Sequence, residues 1–310
     1  MGNQALISAI AISALCGCRL LETGYGDDNA VVRTSQDAAS ATSKAARSTV
    51  AWAGAKVRSF GDDLEPELQD RFIVLGEHSA AAYRGGPALP EGFIPLSEDE
   101  FARLGISGSR YRFEPGTGFL EDVEGVGFGA RISRSLANGE LVVAFRGSNS
   151  PGEDEHWVQD WMVDAQQGGG GTPRQYIYGA EVLAGVRQAF PTAKITATGH
   201  SLGGGIAAYA TMRLEEPGHL LCATFNAAGI SSMTLLALPS DVVEQAKSRI
   251  TNIRSKGDPV SAIPGTQLVG EIYEVDNLRF ANHAMCGLLI DMRRRAENRK
   301  AGWLRDLFDD

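Results

Sequence analysis

The stretch "ITATGHSLGGGIAAYA", residues 195–210, decides how the rest of the chain is read. Ile195 to Thr198 is a short β-rich run, and from Ile206 onward the residues are small helix formers. The periodicity therefore changes across Gly199-His200-Ser201-Leu202-Gly203. A strand that feeds a helix through Gly-x-Ser-x-Gly is the setting of a nucleophile elbow, a strained turn that lifts the serine hydroxyl above a sheet. Gly199 and Gly203 are expected to leave room where side chains would strike the neighbouring strand and helix. Gly204, Gly205, Ala207 and Ala208 would let that helix sit close to the sheet. The helix N-terminus also aims its N–H groups at the reacting centre, which favours negative charge there. The bare pattern is weak, because a chain with 37 glycines produces it by chance about one time in three. The alternative is a Gly-Ser turn that feeds a packed helix, so the residues elsewhere must discriminate.

A serine nucleophile needs a base, and the base needs an acid to orient it. On a sheet of this kind the partners follow in the order Ser, Asp, His. Of the five histidines, His78 and His156 precede the serine, His200 lies inside the elbow and His219 ends the helix that follows. His283, in "NHAM" at the start of the last helical stretch, is the candidate base. Asp258, in "SKGDPVSAIP" just past a strand, is the candidate acid, since a Gly-Asp-Pro turn would hold its carboxylate still. Asp241 reads instead as a first-turn helix residue and Asp276 as a strand end. An oxyanion hole requires donors aimed at the developing charge. The amide of Leu202 and the loop at Ser148 in "LVVAFRGS" are the candidates, with Gly147 allowing close backbone approach. A capping histidine, a turn aspartate and an ordinary loop serine are the structural alternatives for His283, Asp258 and Ser148.

Outward from the elbow, strand and helix signals alternate. Leu141 to Phe145 suits a buried strand, and it pairs in expectation with the preceding apolar run through the tight turn Asn138-Gly139. Thr172 and Pro173 read as the cap and first position of a helix, with Ile177, Ala180, Leu183, Val186 and Phe190 on its apolar face. Further strands are expected at Lys194–Thr198, Leu220–Phe225, Ile250–Arg254 and Glu271–Val275. Helices are expected at Ile206–Leu214, Asp241–Lys247 and from Ala284 to about Arg295. "LEPELQDRFIVLGEHSAAAYR", from Leu64, carries an earlier helical period. Such alternation implies an α/β sheet of parallel strands with crossover helices.

A formal net charge of -9 argues against nucleic acid as the main partner, while a lipid or ester substrate remains compatible. Residues 1–23 read as an apolar leader, because "ALISAIAISAL" is too short for a membrane span and suits a signal-peptide core. Leu15-Cys16-Gly17-Cys18 resembles a lipobox with Cys18 as the lipidated residue, although no Lys or Arg precedes the apolar run. Envelope or secreted placement is the expectation over a cytoplasmic one. Residues 24–60, rich in Ala, Ser and Thr, read as a tether, and 61–310 as the catalytic domain. Cys222 and Cys286 read as two separate buried thiols, with a disulfide as the alternative. No Cys/His spacing suggests zinc. No metal or cofactor is expected.

"LVVAFRGS", "WVQDWMVDA", "KITATGHSLGGGIAAYA", "TFNAAG", "SKGDPVSAIP" and "NHAM", taken in order, resemble the class 3 lipases. They are closer to the bacterial lipase-like members than to the secreted fungal enzymes. The resemblance runs from roughly Leu64 to Arg295. It implies an α/β-hydrolase fold, a mostly parallel central sheet with helices on both faces, and hydrolysis of acylglycerols or phospholipids. It places Ser201, Asp258 and His283 as a triad and Ser148 and Leu202 as the oxyanion hole. The His-x-Gly-Phe segment frequent in fungal relatives is absent, and "TPRQYIYGAEVL" stands there instead. By the same resemblance "NSPGEDEHWVQDWMVDAQQGGGG" matches a lid, in which Trp157, Trp161 and Met162 form an apolar stripe that is either lipid-facing or packed core. Two other functions share these motifs: an esterase or thioesterase acting on soluble substrates, and a catalytically inactive hydrolase fold that serves as an interaction module.

Overall fold

Every residue of two neighbouring strands, β6 (Leu141–Phe145) and β7 (Ile195–His200), is buried, so both faces of the sheet are covered at this point. Such strands read as nearly continuous apolar runs, as parallel sheets with helices on both sides require. The computed structural model describes residues 57–106, 108–148, 172–214, 220–276 and 283–306. The expected leader, most of the tether, the lid-like stretch with Trp157, Trp161 and Met162, and His156 and His219 lie outside the described residues.

The strands are β1 (Val57–Ser59), β2 (Phe93–Pro95), β3 (Tyr111–Glu114), β4 (Phe119–Asp122), β5 (Gly129–Ser135), β6, β7, β8 (Leu220–Phe225), β9 (Ile230–Ser231), β10 (Ile250–Ser255), β11 (Thr266–Gln267) and β12 (Glu271–Val275). The helices are α1 (Pro66–Ala81), α2 (Glu98–Ala102), α3 (Arg174–Ala189), α4 (Leu202–Arg213), α5 (Ser232–Leu236), α6 (Ser240–Ala246) and α7 (Met285–Asp306). The main sheet runs β1-β12-β10-β8-β7-β6-β5-β4-β3, with β2 also paired to β5. From β1 to β6 all pairings are parallel, and from β6 to β3 all are antiparallel. The β5–β6 hairpin turns at Asn138-Gly139, where Gly139 has φ 73°. That left-handed backbone is open to glycine without a steric penalty.

Strand periodicity sorts the core into two halves. Leu141, Val143 and Phe145 join Ile195, Ala197, Val182, Leu183 and Ile206 on the face covered by α3 and α4. Val142 points the other way, into a cluster with Phe72, Leu75, Phe225 and Leu288 beneath α1 and α7. Helices therefore cover both faces, in the architecture of an α/β hydrolase. Among the described residues, no helix is long and apolar enough to cross a membrane.

Several local expectations need correction. Among the described residues the first strand starts at Val57, inside the stretch 24–60 read as tether: β1 pairs along β12 through its backbone, and Phe60 behind it is fully buried. Thr172 does not cap α3. Pro173 occupies the cap with an extended ψ of 140° and makes no side-chain cap bond. Ile177 on that helix is 50% exposed, and the buried face runs instead through Tyr176, Tyr178, Val182, Leu183 and Val186. The tyrosines broaden the apolar stripe and turn it away from Ile177. Cys222 and Cys286 are two separate thiols, as expected, and burial pushes the Cys222 thiol up to about 12. Cys286 is only half-buried.

His78 on α1 is buried edge-on against Phe93, with ring centroids 4.4 Å apart, and its Nδ1 lies 3.3 Å from Ser133 Oγ. Burial, helped by Arg131, pushes its pKa down to about 3 from an ordinary 6.5. Across that window the unfolded chain binds a proton that the folded chain refuses, so the stability present above the ordinary value is lost as pH falls. The expected outcome is a melting temperature that drops as pH falls from about 6.5 towards about 3, with a smaller drop in a His78→Leu variant. An equal drop in both proteins would contradict this account of the buried imidazole.

Candidate active site

The turn between β7 and α4 forces Ser201 to φ 58°, ψ -128°. An L-residue with a side chain pays about 1–3 kcal/mol for such a conformation. Hydrogen bonds on both sides hold it there. The Ser201 amide donates to the Phe225 carbonyl at 3.1 Å, and the Ser201 carbonyl accepts from the amides of Gly204 and Ala228, both at 3.0 Å. A Cβ on Gly199 would collide with the Gly203 carbonyl, and one on Gly203 would collide with the Phe145 carbonyl. The two flanking glycines are therefore required by close backbone approach.

Ser201, His283 and Asp258 come together although they are far apart in the chain. His283 Nε2 lies 3.0 Å from Ser201 Oγ, and His283 Nδ1 lies 2.7 Å from Asp258 Oδ1. Asp258 follows β10 in a turn whose Gly257 has φ 79°, and its side chain is fully buried. Its second oxygen accepts the Ser261 amide at 2.8 Å, so the carboxylate is fixed from two sides. That geometry keeps a proton on Nδ1 and leaves the Nε2 lone pair facing the serine hydroxyl. His283 precedes α7, whose first turn is closed by the Leu288 amide bonding the Ala284 carbonyl at 3.1 Å.

The candidate oxyanion residues lie on segments that border Ser201. Leu202 is the first residue of α4, so its N–H has no carbonyl one turn earlier within the helix. The loop after β6 passes directly over the elbow. A Cβ on Gly147 would lie 2.7 Å from the His200 carbonyl oxygen and 3.3 Å from Ser201 Cβ. Ser148 follows immediately. The loop is anchored by Arg146, a buried side chain that pairs with Glu121 and crosses over Gly129. Hydrogen bonds from Arg84 and then Arg146 hold the Glu121 carboxyl down to about 2.

Three further residues escaped the sequence reading: His200, Tyr83 and Asn226. His200 Nδ1 lies 2.9 Å from the Tyr83 hydroxyl, and its Nε2 lies 2.8 Å from the His283 carbonyl oxygen. Asn226, at φ 43°, donates through Nδ2 to the same His283 carbonyl at 3.0 Å and accepts the Ser255 amide at 2.7 Å. One sequence signal was available. Thr196, Thr198 and His200 alternate with Ile195, Ala197 and Gly199, so strand periodicity sends all three polar side chains to the α1 face, where Tyr83 waits.

The family model described as the Tle-like phospholipase domain, of the phospholipase-like family, matches residues 76–291. The chain belongs to this family. The match takes in the candidate oxyanion loop, the elbow, Asp258 and His283. An extracellular phospholipase A1 from Serratia liquefaciens is 33% identical over 177 residues, which is 57% of this chain and 48% of that protein. The chain thus spans about half the length of the curated relative it matches. Among solved structures, a lipase from Yarrowia lipolytica is 15% identical, with 69% of this chain and 80% of that one covered at a TM-score of 0.42. A Rhizomucor miehei lipase in complex with its propeptide is 15% identical, with 73% and 78% covered at 0.41.

The packing at the elbow yields a direct test. Gly203→Ala forces the end of β6 and the oxyanion loop apart, and the expected cost is about 1–3 kcal/mol in urea unfolding. An unchanged unfolding midpoint would contradict the close approach assigned to this glycine.

Proposed function

We propose that the protein is a serine esterase that hydrolyses the carboxylic esters of lipids, with glycerophospholipid as the favoured class. One observation supports this most: the hydrogen-bonded chain Ser201–His283–Asp258 at a strained strand-to-helix turn. In the proposed reaction His283 Nε2 takes the Ser201 proton as Oγ attacks the ester carbonyl carbon. The carbonyl π electrons move onto oxygen, where the Leu202 amide and the Ser148 position meet the developing charge. The imidazolium is stabilised by Asp258 and returns its proton to the leaving alcohol or lysophospholipid as the ester C–O bond breaks. Water then attacks the acyl-Ser201 by the same proton path in reverse, releasing the fatty acid.

Family membership and the Serratia relative's activity support phospholipid over other esters. That relative is extracellular by name, which supports action outside the cytoplasm. Met233 and Leu236 lie one turn apart on α5, 59% and 76% exposed, beyond the segment whose Ala228 amide bonds the Ser201 carbonyl. This placement supports contact with a lipid surface close to the site.

Substrate profiling tests the reading. Phosphatidylcholine and phosphatidylglycerol vesicles, dispersed triacylglycerol and a series of soluble short-chain esters and thioesters are offered to wild type and Ser201→Ala. The expected outcome is fatty-acid release that is fastest from phospholipid and falls by about a thousandfold or more in the variant. Preference for the soluble substrates would favour the esterase or thioesterase reading. Equal, negligible release by wild type and variant would favour an inactive hydrolase fold.

A further inference from the structure

The candidate base, His283, lies ahead of the first helical residue of α7, so its backbone position depends on contacts outside the helix ladder. Two of these contacts converge on its carbonyl oxygen. His200 Nε2, from the end of β7, approaches to 2.8 Å, and Asn226 Nδ2, just past β8, approaches to 3.0 Å. A carbonyl can only accept, so His200 must carry its proton on Nε2. Its Nδ1 is then a lone pair, and the Tyr83 hydroxyl 2.9 Å away must donate to it. The same hydroxyl packs tightly against Gly147, the residue before Ser148, where an added Cβ would lie 2.3 Å from the Tyr83 oxygen. The chain of donors thus has one direction, from Tyr83 through His200 to the backbone of His283, and it starts from a hydroxyl packed against the loop at Gly147.

We propose that Tyr83 and His200 are positioning residues that fix His283 through its carbonyl oxygen and lock it in register with the oxyanion loop at Gly147. The proposal rests on the reading of Ser201, His283 and Asp258 given above. Neither residue needs to touch substrate. His200 is 7% exposed beneath the elbow, and its side chain points toward α1, on the opposite side of β7 from the face packed by α4. A small displacement matters, because a shift of about 1 Å in reacting groups can cost about a hundredfold in rate.

The arrangement also keeps a second charge away from the reaction. The rings of His200 and His283 are 4.8 Å apart. An imidazolium at His200 would oppose the one that forms on His283 as Ser201 attacks. Burial first, and the neighbouring His283 second, push the His200 pKa down to about 3. The donor chain fills both ring nitrogens of the neutral form, so no protonation is needed to satisfy them.

The experiment measures the second-order rate at which a fluorophosphonate probe modifies Ser201, together with kcat and KM on a soluble ester. The proteins are wild type, Tyr83→Phe, His200→Leu, His200→Gln and the Tyr83→Phe/His200→Leu double variant, each with its melting temperature. Tyr83→Phe and His200→Leu are expected to slow labelling about tenfold or more, with the loss in kcat and KM little changed. His200→Gln, which retains an N–H donor for the His283 carbonyl, is expected to stay within about threefold of wild type. The double variant is expected to be no slower than His200→Leu, because residues that act through one another are not additive. Single variants that fold and label at the wild-type rate would overturn the proposal. So would a loss in His200→Gln as large as in His200→Leu, or a double variant slowed by the product of the two single effects. If His200→Leu does not fold, Tyr83→Phe and His200→Gln still decide. A folded wild type that resists the probe would instead overturn the functional reading beneath it.

Discussion

Ser201 is held in a backbone conformation that a side chain normally avoids, and the surrounding structure exists in large part to keep it there. The strain is affordable only because the turn is pinned on each side. Its amide is bonded to the end of β8, and its carbonyl is bonded to the first turn of α4 and to the segment after β8. The pinning requires β6, β7, β8 and α4 to approach to backbone contact, and glycine at 199 and 203 is what permits that approach. The parallel half of the sheet then delivers its loops to the same edge. Asp258 follows β10, and the Gly147 loop follows β6. The site is therefore a consequence of strand order and of where the chain can do without a Cβ.

The parts that the sequence made legible are those governed by burial. β6, β8 and β12 begin and end at the expected residues, and in β6 a continuous buried apolar run leaves little freedom. Ser201, Asp258 and His283 could be selected from chain order and local turn chemistry, and they do lie within hydrogen-bond reach of one another. Elements stabilised by backbone pairing or by tertiary crowding were harder to see. β1 is a short edge strand with few large apolar residues, so its composition matches that of a tether. The apolar stripe of α3 is set by tyrosines, which carry a polar tip and are easily left off a list of hydrophobic positions.

His200 illustrates a different blind spot. Inside a Gly-x-Ser-x-Gly motif, a histidine beside the serine reads as a spacer. Its role depends on a partner, Tyr83, that lies 117 residues earlier. It also depends on a main-chain carbonyl of His283, which no pattern of side chains can announce. Strand periodicity did indicate the face on which it would sit, together with Thr196 and Thr198. Long-range contacts to backbone atoms are invisible in a sequence, whereas the alternation that aims a side chain at them is not.

In the proposed reaction a single strained serine, Ser201, served by His283 and Asp258, is the reacting group. The most direct measurement is intact-mass and peptide-mapping spectrometry of the folded protein after saturating treatment with a fluorophosphonate. The account predicts one phosphonyl group per chain, on the peptide that contains Ser201, and none in a folded His283→Ala variant over the same interval. A modification located on any other residue, or an unmodified folded wild type, would contradict it.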